Sequence, residues 1–454
     1  MANLFKQTST DASSAFDQQL YTNTVELMLA EAKRQGATSA EAGLSVESGL
    51  SVNVRLGEVE TIEHNRDKIM GATVYFGQHK ASASTTDFSP EAIKSTVKAA
   101  CDIARHTEED QYAGLADADL MAKDIPDLGL YCHWNLSAEG AIELAQECEA
   151  VARNFDQRIT NSEGSSVSTH DGYRLYANSH GFSGGYASSR HSLSCTVIGE
   201  TENGMQRDHW YTVARDPVNL ESVTEVGQKA AQHTLDRLDA RKIPTCQSPV
   251  IFSAEVARGL LGSFLSAING NNQYRKSSFL LDHIGKQIFP GRFTIDERPH
   301  LMGALGSAAF DNEGVATQNR NWIENGVLQG YVLDSYSARR LNMQTTGNAG
   351  GVHNLFISND DKTREDLLKE MGTGLLVTEV MGQGVNIVTG DYSRGASGFW
   401  VANGEIQYPV EEITIASTLQ EMYQQLVYVG NDVDTRGNLQ TGSWLIEKMS
   451  VAGS

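Results

Sequence analysis

Between Asp17 and Gln35 the apolar side chains Val25, Met28, Leu29 and Ala32 recur at steps of three and four, and Gly36 is placed to stop the helix they predict. From Glu41 to Ser84 the period falls to two. Leu44, Val46, Leu50, Val52, Val54, Val59 and Ile62 alternate with polar residues, and Lys68 to Phe76 continues the pattern, as in strands with one buried face. Ser89-Pro90 supplies a cap and a first-turn proline for a helix with the stripe Ile93, Val97, Ala100, Cys101 and Ala104. Residues 25–105 therefore predict an α+β domain. Residues 1–16 are polar and are expected to fray.

Residues 106–136 have no period and predict a connector. Ser137 then caps a helix to about Phe155, strands fill Ile159 to about Val213, and a helix spans Leu220 to Leu238. Arg241-Lys242-Ile243-Pro244 breaks that helix, which sets a middle α+β domain at 137–240. The remainder, 241–454, predicts a β-rich domain. Pro249 to Phe252 is a short buried strand, and Ser253 can cap a helix with Val256, Leu260, Phe264 and Ile268 spaced by four. Asn325-Gly326 and Asn403-Gly404 predict hairpins, and Thr363–Met371 and Thr418–Leu426 short helices. The expected class is α+β: N-terminal helix and antiparallel-sheet domains, then a β-rich C-terminal domain with a strand–helix segment near 250–268.

The 454 residues carry 36 Lys plus Arg against 57 Asp plus Glu, a net charge of −21. That surface repels phosphate backbones and anionic lipid, so direct nucleic-acid and membrane partners are not expected. No run of about 18 apolar residues could span a bilayer. The N-terminus lacks the basic start and apolar stretch of a secretory signal, so a cytoplasmic location is expected. Five cysteines, odd in number and widely spaced, do not form a disulfide framework and read as small buried hydrophobes.

Chemistry is sparse. The twelve histidines are scattered, with no pair three to five apart and no HExxH. Gly181-Phe182-Ser183-Gly184-Gly185 matches G-x-S-x-G, but a strand-like run follows where a nucleophile elbow needs a helix, so a glycine-rich turn is the preferred reading over a Ser183 hydrolase. There is no Walker A sequence, and Gly382-Gln383-Gly384 lacks a third glycine. The Arg339-Arg340 pair suits a structural ion pair or a peptide carboxylate. Periodicity and spacing alone give no function.

Longer segments carry more. Asp311 to Val315 (DNEGV), Asn325 to Leu328, Asp334 to Leu341, Thr345 to Ala349, Gly382 to Ala396, Asn403 to Glu412 and Val429 to Asp432, with Asn161 to Gly164 and Ala177 to Phe182 upstream, resemble the TldD/PmbA family from about residue 25 onward. The resemblance implies a bacterial cytoplasmic metalloprotease system that processes or degrades peptides such as leader peptides and antitoxins. In it a zinc-bearing subunit, TldD, works with a related partner chain. A homo- or hetero-oligomer is expected, and so is a TldD-like catalytic partner with an HExxxH helix. The family also carries a gyrase-modulator label, so a non-proteolytic regulatory protein is the alternative. In the register set by Gly259, Leu260 and Gly262, Ser253 stands at the first histidine of HExxxH, Ala254 at the glutamate and Arg258 at the second histidine. TldD adds a cysteine ligand late in its chain, and no cysteine follows Cys246 here. The expectation is a degenerate site with no catalytic residue, metal or cofactor in this chain. Glu255, offset by one from the base, together with Arg339 and Arg340, are candidate peptide contacts.

Overall fold

The computed structural model describes residues 4–453. Strands His79–Thr85, Glu58–Phe76, Ser39–Arg55, Ile159–Asn178, Ser183–Thr201 and Gly204–Ala214 form, in that order, one antiparallel six-stranded sheet. The 39–55 strand pairs with 159–178 from Glu41↔Asn178 to Val54↔Ser165, so the segments before and after the connector share a single sheet.

One face of that sheet is apolar, because Ala40, Ala42, Leu44, Leu50, Val52 and Val54 all point the same way. Helices Gln18–Arg34 and Pro90–Ala104 cover one end of this face, burying Val25, Met28, Ile93 and Val97. Helices Ala138–Arg153 and Val223–Asp236 cover the other, burying Leu144, Cys148, Val226 and Ala230. Ser89, Ser137 and Ser222 each accept a backbone N–H at the start of their helices, which satisfies donors that would otherwise be orphaned.

The C-terminal half is β-rich, as the alternation and hairpin signals predict. Strands Glu405–Thr418, Asp391–Ala402, Gly374–Met381, Cys246–Phe252 and Trp444–Ala452 follow one another, and the first pairs back to the last at Thr414↔Ala452, Ile415↔Val451 and Ala416↔Ser450. The strands thus close into a barrel, with Leu426–Val429 added beside the last. A smaller five-stranded sheet lies beside it. Both Asn-Gly pairs turn hairpins with positive φ at both residues, 49° and 79° at 325–326 and 54° and 77° at 403–404.

At the N-terminus an expectation fails. Of the stretch 1–16, residues 1–3 lie outside the described residues, and the rest is docked rather than frayed. Thr8–Ser9 pairs with His133–Trp134, Phe5 stacks on Trp134 with ring centroids 5.5 Å apart, and Trp134 Nε1 donates to the Leu4 carbonyl at 2.9 Å. Phe16 is buried against Tyr131 and Tyr173. A few apolar residues in a polar stretch are enough when a preformed surface receives them. Cys101, Cys132, Cys148 and Cys195 are buried free thiols and Cys246 is half-buried.

Candidate functional site

The strand–helix junction at 252–258 lies at the C-terminal end of the barrel strand Cys246–Phe252. Strand 246–252 is flanked by the parallel strand 374–381, with Phe252↔Val377, and by the antiparallel strand 444–452, with Phe252↔Trp444. Ser253 N donates to the Val377 carbonyl at 2.9 Å, which ends the strand. The Ser253 carbonyl then accepts from Val256 N and Ala257 N, at 2.9 and 2.7 Å, to open helix Ala254–Ile268. Ala257, Leu261 and Phe264 on that helix are fully buried and anchor it to the C-terminal core.

Ser253 occupies the N-cap position, but its hydroxyl does not cap. The side chain makes no cap hydrogen bond, and Oγ is buried without a partner among the described residues. Ala254 is buried. The half-exposed Arg258 reaches Asp434, with Nη1 3.5 Å from Oδ2. Asp434 is buried, and its Oδ1 accepts from Arg436 Nε at 2.9 Å and from the Arg436 backbone N–H at 3.0 Å. Burial alone would raise the Asp434 pKa, yet the Arg436 hydrogen bonds and the charges of Arg436 and Arg258 outweigh it and hold the carboxyl below its ordinary value.

Arg436 also donates to Glu255 at 3.2 Å and to the Tyr211 carbonyl at 3.3 Å. Its guanidinium lies 3.9 Å from the Trp210 ring centroid and 4.5 Å from that of Tyr211. Arg258, Asp434, Arg436 and Glu255 are thus one charged cluster, sealed on one side by aromatic rings from the six-stranded sheet. Asp434 and Arg436 were not singled out from the sequence. The one hint to them is the late ligand that the resemblance implies for TldD.

Arg339 and Arg340 do not join this cluster. Arg339 donates to the connector carbonyls of Tyr112 and Gly114, at 3.2 and 3.1 Å, and to that of Leu115. Asp117 stands 3.6 Å away. Arg340 stacks on Tyr112 and Tyr274 at 4.7 and 4.9 Å. The pair clamps the connector onto the C-terminal half, and the Arg339 fork is already filled by main-chain oxygen. Ser183 begins a long strand and has no helix after it. Among the described residues, no three His, Cys, Asp or Glu side chains converge to hold a metal ion.

The chain matches the PmbA/TldA metallopeptidase domains in three parts: domain 1 over residues 40–104, the central domain over 132–238 and the C-terminal domain over 245–453. It belongs to the PmbA/TldD family. It is 52% identical over 427 residues to the metalloprotease PmbA of Escherichia coli O157:H7, covering 94% of each chain. It is 50% identical over 449 residues to a metalloprotease PmbA homolog of Haemophilus influenzae, covering 99% of each. Among solved structures, a putative modulator of DNA gyrase from Bacteroides thetaiotaomicron superposes with a TM-score of 0.91 at 27% identity, over 97% of this chain and 100% of that one. TldE from Thermococcus kodakarensis shares the fold, with a TM-score of 0.83 at 20% identity, over 95% of this chain and 100% of that one.

Proposed function

We propose that this chain is the metal-free subunit of a two-chain cytoplasmic metallopeptidase that processes peptides, and that it works with a TldD-like partner bearing the HExxxH helix. The carrying observation is the cluster at 253–258. Zinc chemistry needs imidazole, thiolate or carboxylate donors and supplies an activated water at neutral pH. Here the corresponding positions offer a buried unpartnered hydroxyl, a methyl group and a guanidinium. Arg258 is permanently cationic, and the carboxylate it reaches, Asp434, is neutralised by two arginines. This donor set does not fit a zinc ion.

What the chain contributes on this reading is shape. Arg436 and the Trp210–Tyr211 pair fix the barrel against the six-stranded sheet, and Arg339 fixes the connector. The metalloprotease names of the 50–52% identical relatives support the peptidase part of this reading.

The test is zinc content and peptide hydrolysis, measured for this chain alone and after mixing with its HExxxH relative from the same organism. Activity and zinc are expected only with the partner. Stoichiometric zinc with hydrolysis by the single chain would refute the proposal. The gyrase-modulator title of one solved relative motivates the alternative of a regulatory protein. A pull-down that recovers gyrase without a TldD-like chain would favour it.

A further inference from the structure

Where the connector crosses the C-terminal half, a cleft of about 480 Å³ lies between residues 119–126 on one side and residues 300, 309–320 and 344–347 on the other. That volume is in the range of small-ligand sites. Arg320 lines it. In the sheet register Arg320 lies opposite Glu297, the natural ion-pair partner. Glu297 is committed elsewhere: its buried carboxylate accepts from Trp322 Nε1 at 3.0 Å, Asn348 Nδ2 at 2.8 Å and His353 N at 2.6 Å. The one hydrogen bond the Arg320 guanidinium makes among the described residues runs from Nη2 to the Thr346 carbonyl, at 3.3 Å, and Nε is buried with no acceptor.

Only the more distant charge of Glu297 and the Trp322 ring, 5.4 Å away, offset this half-buried guanidinium, which forms no salt bridge, and in a chain with a net charge of −21 leaving it so is costly. Burial lowers its pKa, against the opposing pull of the Glu297 charge. A planar oxyanion with two oxygens is what such a fork accepts.

The other lining groups narrow the ligand. Thr317 Oγ1 donates to the Ala308 carbonyl at 2.6 Å, so it accepts from His300 Nε2 at 2.9 Å. Burial lowers the His300 pKa, which keeps that ring neutral at pH 7. The cations of the cleft are therefore Arg320 on the C-terminal side and the exposed Lys123 on the connector side, where Asp119 and Asp124 are exposed carboxylates. A ligand that is anionic at one end and cationic at the other matches this arrangement better than a simple anion does.

We propose that the cleft binds the terminal carboxylate of a short peptide, held by Arg320 with help from Lys123, with the peptide's ammonium end toward Asp119 and Asp124. The choice of a peptide rests on the peptide-processing reading above. The binding test needs neither the partner subunit nor hydrolysis, so the two can fail separately.

Isothermal titration of the full chain with triglycine, triglycine amide and inorganic phosphate decides it. Triglycine should bind saturably at one site. The amide, and triglycine on the Arg320→Gln variant, should bind about tenfold more weakly or worse. Lys123→Glu, a change at an exposed residue, should also weaken triglycine several-fold, which keeps the test valid if Arg320→Gln does not fold. No triglycine binding, equal binding of the amide, or unchanged affinity in a folded variant would overturn the proposal. Phosphate binding as tight as triglycine would overturn the peptide assignment in favour of a free oxyanion.

Discussion

Arg258 and Asp434 lie at opposite ends of the C-terminal domain's sequence, yet the guanidinium of one stands 3.5 Å from the buried carboxylate of the other. Arg258 stands where the family resemblance places a metal ligand, and Asp434 is the carboxylate it reaches. Two arginines hold it ionised and occupied, and on the proposed reading the place a cation would fill is already positively charged.

The two arginines are not equivalent. Arg436 is nearly buried, bonds Asp434 directly and packs on Trp210, whereas Arg258 is about one-third exposed and more distant. Arg436→Ala should destabilise the fold by roughly 3 kcal/mol, because it strands a buried charge. Arg258→Ala should cost less than about 1 kcal/mol. Urea denaturation of both variants checks the order, and equal losses would contradict it.

Zinc should leave the single chain unmoved. A site filled at 100 times its dissociation constant would add about 2.7 kcal/mol to stability. The expected result is the same melting temperature with excess zinc and with a chelator.

Glu313 gives a pH dependence of known sign. Burial first, then the nearby Asp311 and Asp334, outweigh the hydrogen bonds from Ser335 and push its pKa up to about 7. The folded state therefore holds a proton that the unfolded chain releases near pH 4.3, and this group's contribution falls as pH rises from about 4 to 7. Glu313→Gln should remove that slope, making the variant gain on wild type by up to ~3 kcal/mol across the window. Parallel stability curves at pH 5 and pH 8 would count against it.

The N-terminal segment is expected to matter for stability. Removing residues through Ser9 deletes the Phe5–Trp134 stack and leaves Trp134 Nε1 without its acceptor. The loss should be about 2–4 kcal/mol, from the aromatic pair and the orphaned donor together. Guanidinium melts of the truncated and full chains measure it.

By itself the sequence determined what short-range rules control. Capping serines and threonines start helices at 90, 138 and 364, Asn-Gly turns the hairpins at 325 and 403, and alternation marks the long strands, because caps, turns and periods act within a few residues. The resemblance then located the 253–258 junction. Tertiary structure decided the rest. It joined strands 39–55 and 159–178 across the connector, closed the barrel at 414–416 and 450–452, seated the N-terminal segment on Trp134, and brought Asp434 to Arg258. Such pairings depend on which distant faces bury one another, and no local pattern encodes the partner or the register.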